Sequence, residues 1–464
     1  MAASLFNQAI RLFQVFLMAA PLVAIGCGDD SSGGRLGQNT TATGGTPAVT
    51  IGGASAVATG GSGPVIYANA DEGVFPQDRV LAVEVTLPDG AWETMIANAE
   101  LEQYTKGTVR IDGLDVGEVG VRFKGSYSLE SCVGDLGELI CDKLSLKIKF
   151  SEYDTDKRFY GLKRLNFNNL VDDWALFRER LGYQLFREMD IIAPRTSYAT
   201  ITVNGTSQGL YTVVEEVDGR FTSDRYQQGN GNLYKEAWPV SSEDSYYADH
   251  LETNADTATH QVFEAFAAEM QSAKDADLPA TLGKWMDLDY LARYMAVDYA
   301  IANWDGITTF YCGSWGCGNH NYYIYQEESK PRFWLIPWDL NATLFLDHWL
   351  GDIVPWDDLT ADCTRLVPTE SDPTLSTKAA ACDPVIRALV LNREPYLQAV
   401  RHLLDEHFTV ERLNAEVDKV VTLLTPYIRL DPYLSYPELS GTVTYCKGEL
   451  AQLRARLEQV VAQQ

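Results

Sequence analysis

An α+β fold in two lobes is predicted by three features of this sequence. Short alternating runs with tight turns fill the first half, apolar residues at helical spacing dominate the second, and one late hairpin interrupts the helices. The strand-rich lobe is expected over 65–245 and the helix-rich lobe over 246–464, with the junction near 236–256.

Residues 80–87 alternate apolar and polar and predict a strand, followed by a helix over 91–100. Strands over 107–111 and 116–124 flank an Asp112-Gly113 turn. Within 144–150, Leu, Ile and Phe alternate with Ser and Lys, and 164–168 reads as a further strand. Trp174, Phe177, Leu181, Leu185 and Met189 recur at three or four residues, predicting a helix capped by Asp172 or Asp173. Strands 198–203 and 210–214 form a hairpin across Asn204-Gly205, and 232–235 is a short strand. Helices are expected over 256–273, 287–302, 384–406, 410–425 and 444–463, with a hairpin pairing 322–325 and 333–337.

The N-terminus reads as an export signal. Arg11 is the only charged side chain before an apolar run over 12–25, which is too short to span a bilayer comfortably. Residues 1–26 are therefore expected to be a signal peptide, with Cys27 the lipidated first residue of the mature chain. Ala24 stands where such sites usually carry Leu, so an ordinary signal peptide with an incidental Cys is the plainer alternative. Residues 27–64, rich in Gly, Ser, Thr and Ala, form a flexible tether. The expected location is the bacterial cell envelope or surface, with the chain exported and membrane-anchored as a lipoprotein.

A formal charge of −27 argues against nucleic-acid binding, which rests on Lys and Arg displacing counterions. Beyond Cys27, six cysteines fall in close pairs, Cys132 with Cys141, Cys312 with Cys317 and Cys363 with Cys382, leaving Cys446 over. Export favours disulfides, and no spacing matches a zinc site. His402 and His407 are five residues apart and do not share an α-helical face. Gly205-Thr206-Ser207-Gln208-Gly209 matches a serine-hydrolase pattern, but strands on both sides make it a hairpin.

The chemistry concentrates in Asn303-Trp304-Asp305, in the stretch from Asn319 to Tyr325, and in Pro337-Trp338-Asp339-Leu340-Asn341. One carboxylate ends a helix, Asn321 opens a hairpin and a second carboxylate closes it. Two Asp with Asn oxygens suit Mg²⁺, and phosphoryl transfer needs a metal, a basic cradle and a carboxylate facing the acceptor hydroxyl. From Lys143 to Arg180 there are nine Lys or Arg against six Asp or Glu, a basic island able to attract a nucleotide triphosphate. Lys147 and Lys149 share a strand face, either as phosphate contacts or as solvent-facing partners of a half-buried strand. Trp304, Trp334 and Trp338 read as packing residues and His320 as an exposed loop histidine.

The order Arg122-Phe123-Lys124-Gly125-Ser126, Leu144 to Phe150, Leu176-Phe177-Arg178-Glu179-Arg180-Leu181, Val203-Asn204-Gly205 and Gly209 to Asp218 resembles the CotH (spore-coat protein H) kinase family. With the three segments above, the resemblance spans 80–345. It implies a divergent two-lobed protein-kinase-like fold that uses ATP and Mg²⁺ to phosphorylate Ser or Thr of a protein substrate. It makes Asp305 the catalytic carboxylate, Asp339 a metal ligand with Asn321 and Asn341, and Lys147 the phosphate contact. Lys149 is a second candidate for that contact, Glu215 or Glu216 the acid orienting Lys147, and Arg178 a phosphate or structural contact. Two departures stand out: an insert over 306–318, and Asn341 where the family more often has Asp. A non-catalytic adhesion or scaffold protein and an AMP transferase remain alternatives on the same fold.

Overall fold

Alternation in the first half closes seven strands into a barrel: β1 (Val80–Thr86), β2 (Thr105–Ile111), β3 (Leu114–Phe123), β4 (Leu146–Lys149), β5 (Arg164–Asn168), β6 (Thr196–Val203) and β7 (Thr206–Glu215). The spatial order is β1-β2-β3-β4-β5-β7-β6, and the parallel pairing of β1 with β6 closes the ring. The computed structural model describes residues 65–462 apart from 126–128, 130–131, 133–138, 142, 171–172, 174, 315, 345, 347–354 and 370–374. The expected signal peptide, Cys27 and the whole tether lie outside the described residues, as do Asp172 and Trp174.

Leu81, Val83, Val85, Val109, Ile111, Leu146, Ile148, Leu165 and Phe167 fill the barrel. Because neighbouring side chains on a strand point to opposite faces, burying Leu146 and Ile148 turns Lys147 and Lys149 outward. A second core lies outside the barrel, where Leu181, Leu185 and Phe186 meet Tyr198, Leu210 and Val214 and continue into the helical half.

The helix carrying Leu181 spans Arg178–Glu188, starting later than its periodicity predicts. Leu176 sits in the left-handed region at φ 64°, which breaks the helical path. Asp173 still caps from a distance, accepting from the Glu179 amide at 3.2 Å and from Arg178 Nε at 3.1 Å. The 384–406 stretch is likewise divided, into helices Pro384–Leu391 and Arg393–His402. A π-helical turn over Leu403–His407 follows. A π turn repeats at five residues rather than four, so it brings the His402 and His407 rings to 5.3 Å, against the expectation from α-helical spacing.

Seven further short strands are β8 (Asn232–Lys235), β9 (Phe310–Gly313), β10 (Gly316–Gly318), β11 (Tyr322–Gln326), β12 (Phe333–Pro337), β13 (Val367–Pro368) and β14 (Ser376–Lys378). They form two sheets, β12-β11-β8 and β10-β9-β14-β13. The second was not foreseen; it is built from the insert after Asp305 and a later loop. Ser207 lies on β7, and Gly209 is needed because Asp431, reaching back from the last interhelical loop, occupies the place of a Cβ there. Among the described residues no helix is long and apolar enough to cross a membrane.

All three expected disulfides are formed, and Cys446 is a buried thiol. The Cys363–Cys382 bridge closes a separation of 19 residues beside β14. Replacing both by Ser should cost about 3 kcal/mol by freeing the unfolded chain. An unchanged denaturation midpoint would show that the bridge adds nothing.

Candidate active site

Asp305 leaves the helix Leu288–Ala300 through a locked turn. Ala302 adopts φ 48°, and Asn303 bonds back to Asp298, its amide nitrogen reaching Asp298 Oδ1 at 2.8 Å. From the mouth of the β11–β12 hairpin, Asn321 Nδ2 donates to Asp305 Oδ2 at 2.6 Å and to its carbonyl at 3.1 Å. Asn321 itself is held at φ 61°, with its backbone amide on Glu236 Oε1 at 3.0 Å. Glu236 also stands 3.8 Å from His320 Nδ1, so His320 is a half-buried ion-pair partner and not the exposed loop residue expected.

Across the same hairpin, Tyr322 faces Pro337 and the Trp338 amide donates to the Asn321 carbonyl at 3.1 Å. Asp339 follows at once, with φ 49° and its amide on the Tyr183 hydroxyl at 3.0 Å. Non-glycine residues held in that region are strained, and strain of this kind gathers at working sites. Tyr183 and Glu179 share the helix Arg178–Glu188, so Asp339 is seated beside a second carboxylate.

The barrel supplies the opposing charge. Lys124, just past β3, donates to Asn168 Oδ1 at 2.7 Å, while Asn168 Nδ2 donates to both Glu179 oxygens at 2.9 and 3.0 Å. On β4, Lys147 pairs with Glu216 at 2.9 Å; Asn166 donates to the other Glu216 oxygen at 2.5 Å, and Arg164 lies 3.7 Å away.

These groups perturb one another. Burial pushes Asp305 up to about 7; His320 opposes the rise, and Asp339 and Glu236 add to it. Burial and then the charge of Asp339 carry Glu179 up to about 8, against Asn168 and Lys124. Asp339 is raised by burial, against the pull of Lys124 and Lys235. Lys124 and Lys147 are lowered, first by burial. Glu216 is held at about 2: burial acts upward, but Lys147, Arg164 and the hydrogen bonds outweigh it. Carboxylates forced toward neutrality beside lysines forced the same way form a desolvated site that a polyanion and a cation would together relieve.

Of the residues singled out from sequence, Asp305, Asn321 and Asp339 come together, and Lys147 lies near enough to Lys124 for the two charges to repel. Glu216, not its neighbour, holds Lys147. Glu215 binds Arg195 and Arg225 instead, at 2.5 and 2.6 Å. Lys149 pairs with Glu152, and the fully buried Arg178 engages Asp173. Asn341 is half-buried two residues beyond Asp339. Lys124, Asn168, Glu179 and Glu236 had no assigned role. Lys124 and Glu179 sat inside the segments that carried the family resemblance, which was the only signal pointing to them.

The family described as CotH kinase protein matches residues 121–459. Inner spore coat protein H of Bacillus subtilis (strain 168) is 22% identical over 294 residues, covering 60% of this chain and 72% of that one. An inner spore coat protein H-like protein of the same organism is 22% identical over 270 residues, covering 58% of this chain and 70% of its own length. Invasin CotH2 of Rhizopus delemar is 22% identical over 193 residues, 38% of this chain and 31% of the invasin. Among solved structures, the Helicobacter pylori proinflammatory kinase CtkA aligns over 69% of this chain and 93% of its own, with 8% identity and a TM-score of 0.26. With the family match spanning most of the sequence, the chain belongs to the CotH kinase protein family.

Proposed function

We propose that this chain transfers the γ-phosphate of ATP to Ser or Thr hydroxyls of an envelope or surface protein. The observation that carries the reading is the meeting of Asp305, Asn321 and Asp339 opposite Lys124 and Lys147. Asp305, raised to about 7, is matched to taking the acceptor hydroxyl's proton near neutral pH. Asn321 fixes its orientation through the 2.6 Å bond. Lys147 and Lys124 meet the nucleotide phosphates, with Glu216 keeping Lys147 charged and in place.

The donor set fits Mg²⁺. No group of three His, Cys, Asp or Glu forms a cation cage among the described residues, but Mg²⁺ on a nucleotide needs only one or two carboxylates plus phosphate oxygens. Asp339, with the amide oxygens of Asn321 and Asn341, would hold it, and it would supply neutralisation of phosphate charge. Asn321 turns its nitrogen to Asp305, which leaves its oxygen facing away from that carboxylate.

Export and surface location are part of the proposal. Three disulfides suit an oxidising compartment, and the relatives carry the names spore coat protein and invasin. Residues 1–26 would direct export and Cys27 would carry the lipid.

The test is incubation of the full chain with Mg²⁺ and ATP labelled at the γ or α position. Label from γ on protein supports phosphotransfer. Label from α means nucleotidyl transfer instead, and label from neither leaves the adhesion or scaffold reading. In calorimetry, Lys147→Ala should weaken ATP binding roughly 10–100-fold, the worth of one charge-assisted contact. Unchanged affinity would remove Lys147 from the phosphate site.

A further inference from the structure

The basic island between Lys143 and Arg180 does not all serve the cleft. Arg164 turns to Glu216, whereas its neighbour Lys163 lines a groove with Arg158 and Gly161. Arg220, Ser223, Asn230, Thr253 and Asn254 also line it, and the groove has a volume of about 470 Å³. Among the described residues its lining holds three cations and no carboxylate, in a chain with 64 acidic against 37 basic residues. Elsewhere the acidic excess repels an anionic chain; three cations gathered in one lining would attract one, even with Asp218 and Asp224 close behind them.

We propose that this groove is a docking site for a carboxylate-rich polypeptide segment of the acceptor protein. The inference rests on the phosphotransfer reading only in calling that partner an acceptor. Several features favour spaced carboxylates over a single phosphate. Arg220 is partly neutralised by Asp224 at 2.8 Å, so the groove does not focus three full charges. The backbone amides at the start of the helix Gly219–Arg225 already donate to Asp218, at 3.0 Å for both Arg220 and Phe221. Arg158 donates to the carbonyls of Thr155 and Lys157, which fixes it at the rim. Among the described residues no aromatic side chain lines the groove to stack a base, which argues against a nucleotide. Ser223, Thr253, Asn230 and Asn254 add the uncharged donors and acceptors that an extended peptide backbone needs. Gly161, at φ 79°, lets the Arg220 guanidinium pack against it, with Nη2 3.0 Å from where a Cβ would stand.

The test is fluorescence anisotropy of the full chain, without nucleotide, using a labelled oligoglutamate peptide and its oligoglutamine counterpart. The glutamate peptide should bind and the glutamine peptide should not. Arg158→Glu with Lys163→Glu should weaken binding at least about tenfold, and the milder Lys163→Gln should weaken it measurably. Thermal unfolding of Lys163→Gln should match the parent, and the double variant, which gives up the Arg158 bonds to the Thr155 and Lys157 carbonyls, should still unfold cooperatively. Equal binding by parent and double variant would overturn the proposal. So would displacement of the peptide by millimolar inorganic phosphate, or tighter binding of a phosphoserine peptide of the same length. Because this binding assay contains no nucleotide, absence of transfer in the labelled-ATP incubation would count against the phosphotransfer reading and not against this groove.

Discussion

Asp305→Asn should lower phosphate transfer roughly 10³-fold, the usual worth of a positioned general base, while the chain stays folded. The amide keeps an acceptor for Asn321 but can take no proton. The same change should stabilise the protein at alkaline pH. Asp305 titrates at about 7 in the folded chain against an ordinary 3.8, so folding favours its protonated form. Its destabilising contribution is absent below the ordinary value, grows as pH rises, and is complete above about 7. Because the group is only half-buried, the gain on substitution should be about 1–2 kcal/mol near pH 8 and vanish near pH 4. An Asn variant that kept its turnover, or lost stability at pH 8, would make Asp305 a turn residue and not a base.

That separation of working from structural residues was partly legible in the sequence. β5 and β8 match their expected limits because alternation and flanking turn residues define them locally. The parallel closure of β1 against β6 joins residues more than a hundred apart, and no local pattern announces it. The sheet β10-β9-β14-β13 escaped notice because its strands are two to four residues long and lean on disulfides in place of alternation. In the site, Asp305, Asn321 and Asp339 stand at element ends, where sequence marks them. Glu179 also stands near an element end, but the periodicity starts the helix near Trp174, so between Arg178 and Arg180 it reads as an ordinary charged position inside the helix. The left-handed Leu176 sets the path by which Glu179 reaches Asn168 instead of solvent. The closeness of His402 and His407 is hidden for a similar reason, since a π turn cannot be told from an α turn by spacing alone.

Glu215 and Glu216, adjacent and chemically identical, should fail in different ways when neutralised. Glu215 is 1% exposed and gathers Arg195 at 2.9 and 2.5 Å and Arg225 at 2.6 Å. Glu215→Gln takes the ion partner from Arg225 and leaves Arg195 only its pair with Asp71, and both guanidinium groups reach solvent only in part, so it should cost about 2–3 kcal/mol of stability. ATP affinity of the folded fraction should be unchanged. Those arginines hold the Glu215 carboxyl below its ordinary range even though burial acts upward. Its contribution is therefore present above the ordinary Glu value and should be lost as pH falls through the depressed one. Glu216→Gln instead removes the partner of Lys147, and on the proposed reading the phosphates of ATP would replace it. This variant should bind ATP more weakly, and saturating ATP with Mg²⁺ should restore much of its lost thermal stability, a rescue that Glu215→Gln should not show. If nucleotide rescued both variants equally, or neither, the two carboxylates would share one structural task, and Lys147 would lose its claim to the phosphates.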